Sequence, residues 1–443
     1  MKKRLFQVIL ASVMCVLFIA GCAAPVQTPA ATEEPAPAAT AAPEATEAPA
    51  PQLKADLNIW VYDEFYTDAE NSPIAQLTKE FTDANPGVTV TFTPVPYGSS
   101  SYRDKYIQAA QGGSGPDVIL SDNVWVPQLA AMDLIVPLTQ QLGDKKDEFF
   151  PGTIDAATWN NEIYGVPFHT DVMVLFYNKD MFKAAGLDPE APPTTWDEFR
   201  NDAIAITKAG KAGFGLLGGW GGSFEWLPWL WQNDGDILDS EGKIRFNDTA
   251  GHESVEFFLN LLTVDKVIPE AALTWKSWDE LAAGFANQSF AMCEGMDVML
   301  QKLNENKDIS FEWGVAELPA KADKASMLGG GHWVINKNSE QQDAAYAWID
   351  FISGKNSLSM MDSYMRTSAR KDAGEQEIIK NDARKQVFVK SLEYARPRPI
   401  IAEWTTIDYD CIQPAFMQVI FEGRDINSAM DEAVTKATAA LEG

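Results

Sequence analysis

Basic residues, cysteine and histidine are scarce in this chain. Its 443 residues hold 35 Lys and Arg against 63 Asp and Glu, for a formal net charge of −28. Nucleic-acid phosphates need lysine and arginine, so so acidic a chain excludes a nucleic-acid partner. There are four cysteines, Cys15, Cys22, Cys293 and Cys411, and their spacing is not that of a zinc site. No metal and no cofactor are expected. Missing too are G-x-S-x-G, H-E-x-x-H and a phosphate loop of standard spacing, so no catalytic residue is assigned. Gly329-Gly330-Gly331 leads into His332-Trp333 and lacks the Lys-Ser/Thr of a phosphate cradle.

What is present begins with length: 443 residues suffice for two domains with separate cores. Lys2, Lys3 and Arg4 precede an apolar run, Leu5 to Ala20, that is short for a bilayer span and reads as a signal segment, 1–21. The following stretch, 22–53, is Ala, Pro, Thr and Glu with almost no large apolar side chain, and is expected to be an extended, disordered tether. Cys293 and Cys411 read as buried free thiols sooner than as a bridge.

Beyond the tether, Leu57–Tyr62 is expected as a strand, followed by a helix with Pro73 at its first position. A strand through Val88, Val90 and Phe92, a helix from Tyr102 to Gln111 and a strand at Asp117–Leu120 complete a β-α-β-α-β series. That order implies parallel strands covered by helices, with ligands beyond their carboxyl ends at Tyr62-Asp63-Glu64 and Ser121-Asp122-Asn123. Pro167–Asp171 reads as a turn and Val172–Tyr177 as one buried strand. Thr195-Trp196-Asp197-Glu198 and Ser277-Trp278-Asp279-Glu280 read as helix-capping boxes.

The candidate site is a set of aromatics and carboxylates in turn-like surroundings: Trp60, Tyr62, Asp63, Asp122, Trp125, His169, Asp171, Trp220, Phe224, Trp226, Asp297, His332, Trp333 and Trp404. Flat rings cover the apolar C–H faces of a sugar. Carboxylates accept strong, charge-assisted hydrogen bonds from its hydroxyls. Asn123 joins the set from the strand end. Arg398 either binds an anionic group or pairs with an acid. Alternatives remain open at this point: another solute such as glycerol phosphate or an oligopeptide, or a glycoside hydrolase with two carboxylates facing one bond.

Three segments, Tyr164-Gly165-Val166-Pro167, Tyr177-Asn178-Lys179-Asp180 and Pro192-Pro193-Thr194-Thr195-Trp196-Asp197-Glu198-Phe199, occur in that order. The stretch closely resembles the central crossing segment of extracellular solute-binding proteins of carbohydrate ABC importers, the maltose and multiple-sugar type. Ile19-Ala20-Gly21-Cys22 resembles a lipobox, which implies lipidation of Cys22. The resemblance implies an α/β, two-lobe periplasmic-binding-protein-like fold of type II, with a ligand cleft between lobes joined by a hinge. It implies lobe 1 at 54–170 plus 319–367 and lobe 2 at 171–318 plus 368–443. It further implies a monomer without enzymatic activity, held by lipid on the outer face of the cytoplasmic membrane, that hands a carbohydrate to ABC permease subunits. Asp171 matches the position of an acidic sugar ligand; Asp297 stands where many relatives carry an aromatic.

Overall fold

The computed structural model describes residues 53–69, 71–96, 100–220 and 223–442, without the side chains of Ser100, Ser101 and Trp220. The signal segment, Cys22 and the tether up to Gln52 lie outside the described residues. In chain order the strands are β1 (Ala55–Tyr62), β2 (Val88–Val95), β3 (Val118–Asp122), β4 (Thr158–Trp159), β5 (Glu162–Ile163), β6 (Val166–Val172), β7 (Val174–Asn178), β8 (Ala212–Gly215), β9 (Phe290–Gly295), β10 (Trp313–Ala316), β11 (Ser326–Ile335), β12 (Thr367–Ser368) and β13 (Ala395–Pro397).

These form two main sheets. The first runs β12-β6-β11-β3-β1-β2, with β13 against β11; the second runs β10-β7-β9-β8. β1 lies parallel to both β2 and β3, as its βαβ pattern requires. The intervening helices are Pro73–Ala84 and Ser100–Gln111. Ser72 precedes the first of these without a side-chain capping bond. Thr195 closes a full capping box: its hydroxyl accepts from the Glu198 N–H and the Glu198 carboxylate accepts from the Thr195 N–H, both at 3.2 Å. Each such cap stabilises a helix end by about 1 kcal/mol.

The expected turn at Pro167–Asp171 is instead most of β6, paired on one edge with β11 and on the other with β12. Pro167 lacks an N–H, but it stands opposite His332, where the ladder with β11 shifts register. A proline is tolerated at such a break. Gly330 sits there with φ +121°, and a Cβ on it would lie 2.3 Å from the His169 carbonyl oxygen, so only glycine fits.

The expected single strand Val172–Tyr177 is also corrected. The first sheet ends at Val172, Met173 makes the step, and β7 opens the second sheet. On β7 the side chains alternate between two cores. Met173, Leu175 and Tyr177 face one, with Trp196, Phe199 and Trp229; Val174 and Phe176 face the other, with Phe285, Leu300 and Phe388. A strand covered on both faces reads as an unbroken apolar run, which hides the step from one sheet to the other. The first sheet has its own core around Ile59, Val61, Ile74, Leu120, Trp333 and Trp348. The chain passes back between Ala316 of β10 and Ser326 of β11.

Candidate functional site

The carboxyl ends of β1 and β3 emerge side by side. Asp63 and Glu64 are exposed in a short turn after β1. Asp122 ends β3 and caps the turn Asn123–Trp125, accepting from the Val124 N–H at 3.2 Å. From the segment after β13, one Arg398 nitrogen, Nη2, donates to Asp122 Oδ1 at 3.0 Å and to Asn123 Oδ1 at 2.8 Å. The same guanidinium stands 5.7 Å from the centre of the Phe224 ring. Next to it Ser223 Oγ donates to Asp408 Oδ1 at 2.9 Å, and burial raises the Asp408 carboxyl above its ordinary value. Tyr409 follows Asp408 in the chain and is 61 % exposed. A strand end of the first sheet and the segments around Phe224, Arg398 and Tyr409 therefore meet in one partly buried polar and aromatic patch. Such a patch can accept and donate hydrogen bonds to hydroxyls while a ring covers an apolar face.

A second cluster lies where the sheets join. Asp171 Oδ1 accepts from the Val172 N–H at 2.9 Å and from the Asp297 N–H at 2.8 Å. Asp297 Oδ2 accepts from both the N–H and the hydroxyl of Thr367 on β12, and its Oδ1 pairs with Lys385 at 3.3 Å. Arg366 pairs with Glu64 at 2.9 Å. Burial and the Asp297 charge raise the Asp171 carboxyl. His169 packs beside Phe65, and burial, with the charge of Arg366, lowers its imidazole to about 3, so it is neutral at physiological pH.

Several residues expected at the ligand are interior side chains. Trp226 fills the second core, its indole N–H donating to Ser254 Oγ at 2.8 Å. Trp333 packs between Phe168 and Trp348. His332 is buried with Nε2 donating to the Thr153 carbonyl at 2.7 Å. Tyr62 packs edge-on against Tyr102, and Trp404 is buried against the second core. Asp297 is buried and committed to Lys385 and Thr367. In each case packing or an internal partner takes the group that a ligand would need. The Trp220 side chain is outside the described residues. Cys293 and Cys411 are buried and free.

Sequence reasoning missed Ser223, Asp408, Tyr409, Arg366 and Lys385. Asp408 and Tyr409 belong to a π-helical turn, Ile407–Ile412. Such turns often mark functional sites, but they leave no pattern in the sequence. Among the described residues, no group of three His, Cys, Asp or Glu is placed to hold a metal, and no helix is long and apolar enough to cross a membrane.

Known proteins resemble the chain in sequence and in fold. A putative binding protein of Brucella abortus is 23 % identical over 376 residues, covering 83 % of this chain and 89 % of its own. An ABC transporter solute-binding protein of Thermotoga lettingae, solved with α-D-tagatose, is 25 % identical with a TM-score of 0.74, covering 88 % of this chain and all of its own. Maltose-bound MalE3 of T. maritima is 26 % identical with a TM-score of 0.74, covering 87 % and 100 %. The expected two-lobe α/β fold is thus present. The family model "Bacterial extracellular solute-binding protein" matches residues 67–356, well over half of the chain. With two sheets joined through Met173 and a polar, aromatic patch beyond the ends of parallel strands, this chain belongs to the bacterial extracellular solute-binding protein family.

Proposed function

We propose that this protein is the substrate-binding component of an ABC importer and that it captures a neutral sugar or oligosaccharide outside the cell. The observation that carries this reading is the meeting of Asp122, Asn123 and Arg398 with the Phe224 ring. Arg398 already has a carboxylate partner, so the patch carries no uncompensated cation to attract an anionic solute. Its remaining chemistry is hydroxyl recognition and ring stacking. Asp63, Asp122, Asn123, His169, Asp171, Phe224, Arg398, Asp408 and Tyr409 are the residues we assign to the ligand, with Trp220 from the neighbouring glycine-rich loop. Lobe 1 comprises 54–170 plus 319–367 and lobe 2 comprises 171–318 plus 368–443, closing on the ligand about a hinge, as two-lobe binding proteins do. Cys22 anchors the monomer by lipid, and permease subunits receive the sugar. No bond is made or broken.

A thermal-shift screen of the folded protein against a carbohydrate panel tests this, because a ligand of the native state raises Tm with its concentration. Stabilisation by a sugar, with the sugar recovered intact after incubation, is the expected result. Stabilisation only by phosphorylated solutes, or cleavage of an oligosaccharide, overturns it.

A further inference from the structure

A cavity over the second core has no part in the patch described above. It measures about 500 Å3, within the range of small-molecule sites, and Trp196, Asp197, Glu253, Glu256, Phe257 and Lys321 are in its lining. Trp196 and Phe257 belong to the aromatic group around Trp229, and their ring centres are 4.6 Å apart. The Trp196 indole N–H donates at 2.7 Å to Gln232, the last residue of the helix Ser223–Gln232. Ser223 and Phe224 open that helix at the patch. At 1.5 Å per residue its two ends are roughly 14 Å apart, so cavity and patch are separate places.

Three segments build the wall. Glu253, Glu256, Phe257 and Asn260 fall at i, i+3, i+4 and i+7 of the helix Thr249–Thr263 and share one face. Asp197 stands in the first turn of the helix Trp196–Lys208. Ala320 and Lys321 come from the segment between β10 and β11. That segment is tied down on both sides: the Ala320 N–H donates to the Thr194 carbonyl at 2.9 Å and the Ala322 N–H to the Gln232 carbonyl at 2.8 Å.

Carboxylates alone would be an ordinary solvated face. Two observations make more of these. Phe257 stays half-buried on an otherwise polar helix face. The protein's own alkylammonium group is also seated here: Lys321 Nζ stands 5.0 Å from the centre of the Trp196 ring and pairs with Glu253 Oε2 at 3.0 Å. A ring and a carboxylate together suit an ammonium ion on a carbon chain. The cavity holds the same pairing again in Phe257 and Glu256, and there it is not taken. Neither Asp197 nor Glu256 accepts a side-chain hydrogen bond or closes an ion pair among the described residues. Arg200, which feels Asp197, is held by Asp265 at 2.6 and 2.9 Å. With Lys321 matched by Glu253, the lining keeps two uncompensated negative charges, Asp197 and Glu256. We propose that this cavity binds an alkylammonium ion, independently of the sugar patch. The nitrogen is held by Asp197 and Glu256 at the Phe257 ring, beside the seat that Lys321 fills. An anion is repelled by the two charges, and an alcohol lacks the charge that matches them.

Butylammonium chloride is the probe, 1-butanol its neutral control and sodium chloride the control for ionic strength, each titrated into the folded protein and followed by amide NMR. Saturable shifts at Glu256, Phe257, Ala320 and Lys321 are expected with butylammonium alone. Hydrogen exchange at the Ala320 and Ala322 amides should slow as the probe saturates. Glu256→Gln and Phe257→Leu should each weaken binding by roughly two- to fivefold, the scale of one exposed ion pair or cation–ring contact. Glu256 is exposed, so its variant should keep the wild-type melting temperature. Lys321→Met vacates the seat on Trp196 and Glu253 and should tighten binding. Lys302→Met removes the same charge from the helix Asp297–Glu305 and should leave it unchanged. Equal shifts from 1-butanol or from sodium chloride overturn the proposal, as does unchanged affinity in Glu256→Gln or equal tightening in both lysine variants. No sugar enters these measurements, so they stand or fall apart from the sugar reading.

Discussion

Asp171 caps the helix that begins at Asp297. Its Oδ1 accepts from the Asp297 N–H at 2.8 Å across 126 positions of sequence, at the point where the two sheets meet. The carboxylate expected on sugar hydroxyls is therefore also a structural acceptor. Asp297 in turn is tied by its own carboxylate to Thr367 on the returning strand and to Lys385. Through three carboxylate oxygens, the crossing strand, the second-sheet helix and the return strand are held together.

This relationship predicts a large effect at Asp297. Its side chain is fully buried and that of Lys385 is 5 % exposed. Asp297→Ala strands the lysine, so unfolding free energy should fall by about 3–5 kcal/mol, as for other buried pairs broken on one side. The double variant Asp297→Ala/Lys385→Met removes both charges and should recover much of the loss. Urea midpoints of the two variants check this; equal losses in both would show that the Thr367 bonds carry the effect.

Legibility in the sequence divides along physical lines. The β-α-β-α-β series was readable because its strands alternate and its helices carry an apolar stripe, both local patterns. The Thr195 box was readable because its two bonds span three residues. The crossing was not: Val174 and Phe176 look like Leu175 and Tyr177, and only the packed structure sends them to opposite cores. Trp226 and Trp333 were placed at the ligand because turn-like neighbours suggested exposure, yet one lies on a helix buried nearly all round and the other in a strand of the first core. Asp408 and Tyr409 gave no signal, since a π turn has no composition of its own. Arg398 was visible only as an arginine; that its partners are Asp122 and Asn123, 276 and 275 positions away, is a property of the fold.

Anchoring makes a separate prediction. The apolar run Leu5–Ala20 ends in Ile19-Ala20-Gly21-Cys22. Cys22→Ala should either release the protein from the membrane fraction or leave it with its signal segment attached. Fractionation and mass measurement of the mature chain check this, and a variant that matures and sediments like wild type removes the lipid anchor from the account.

His332 is one of two buried histidines, with His169, that act on the acid side of stability. Burial lowers His332 from 6.5 to about 4, although the Thr153 bond acts the other way. The fold thus holds it neutral while the unfolded chain binds a proton. Its contribution is present above about pH 6.5 and is lost as pH falls toward 4, by up to about 3 kcal/mol. His332→Gln keeps a donor for the Thr153 carbonyl and cannot titrate. Between pH 7 and pH 4.5 the denaturation midpoint of this variant should fall less than that of wild type.

The last prediction concerns Asp122, which separates ligand chemistry from architecture. Its carboxylate caps the turn after β3 and pairs with Arg398, and both side chains keep some contact with solvent, at 12 and 14 % exposure. Asp122→Asn retains an oxygen for the Val124 N–H and for Arg398 but removes the charge. A bond to a charged group contributes about 1.5–3 kcal/mol, so sugar affinity measured by calorimetry should drop about tenfold or more. The melting temperature should change little, because the acceptor geometry survives. Arg398→Ala removes the guanidinium that Asp122 and Asn123 share and should also weaken sugar binding, with little dependence on salt because the ligand is neutral. If affinity in wild type instead falls steeply with salt, and Arg398→Ala abolishes that slope, the solute is an anion and the arginine is its site. If both variants bind the sugar as wild type does while melting lower, the Asp122–Arg398 pair is a brace between segments and the ligand lies elsewhere in the cleft.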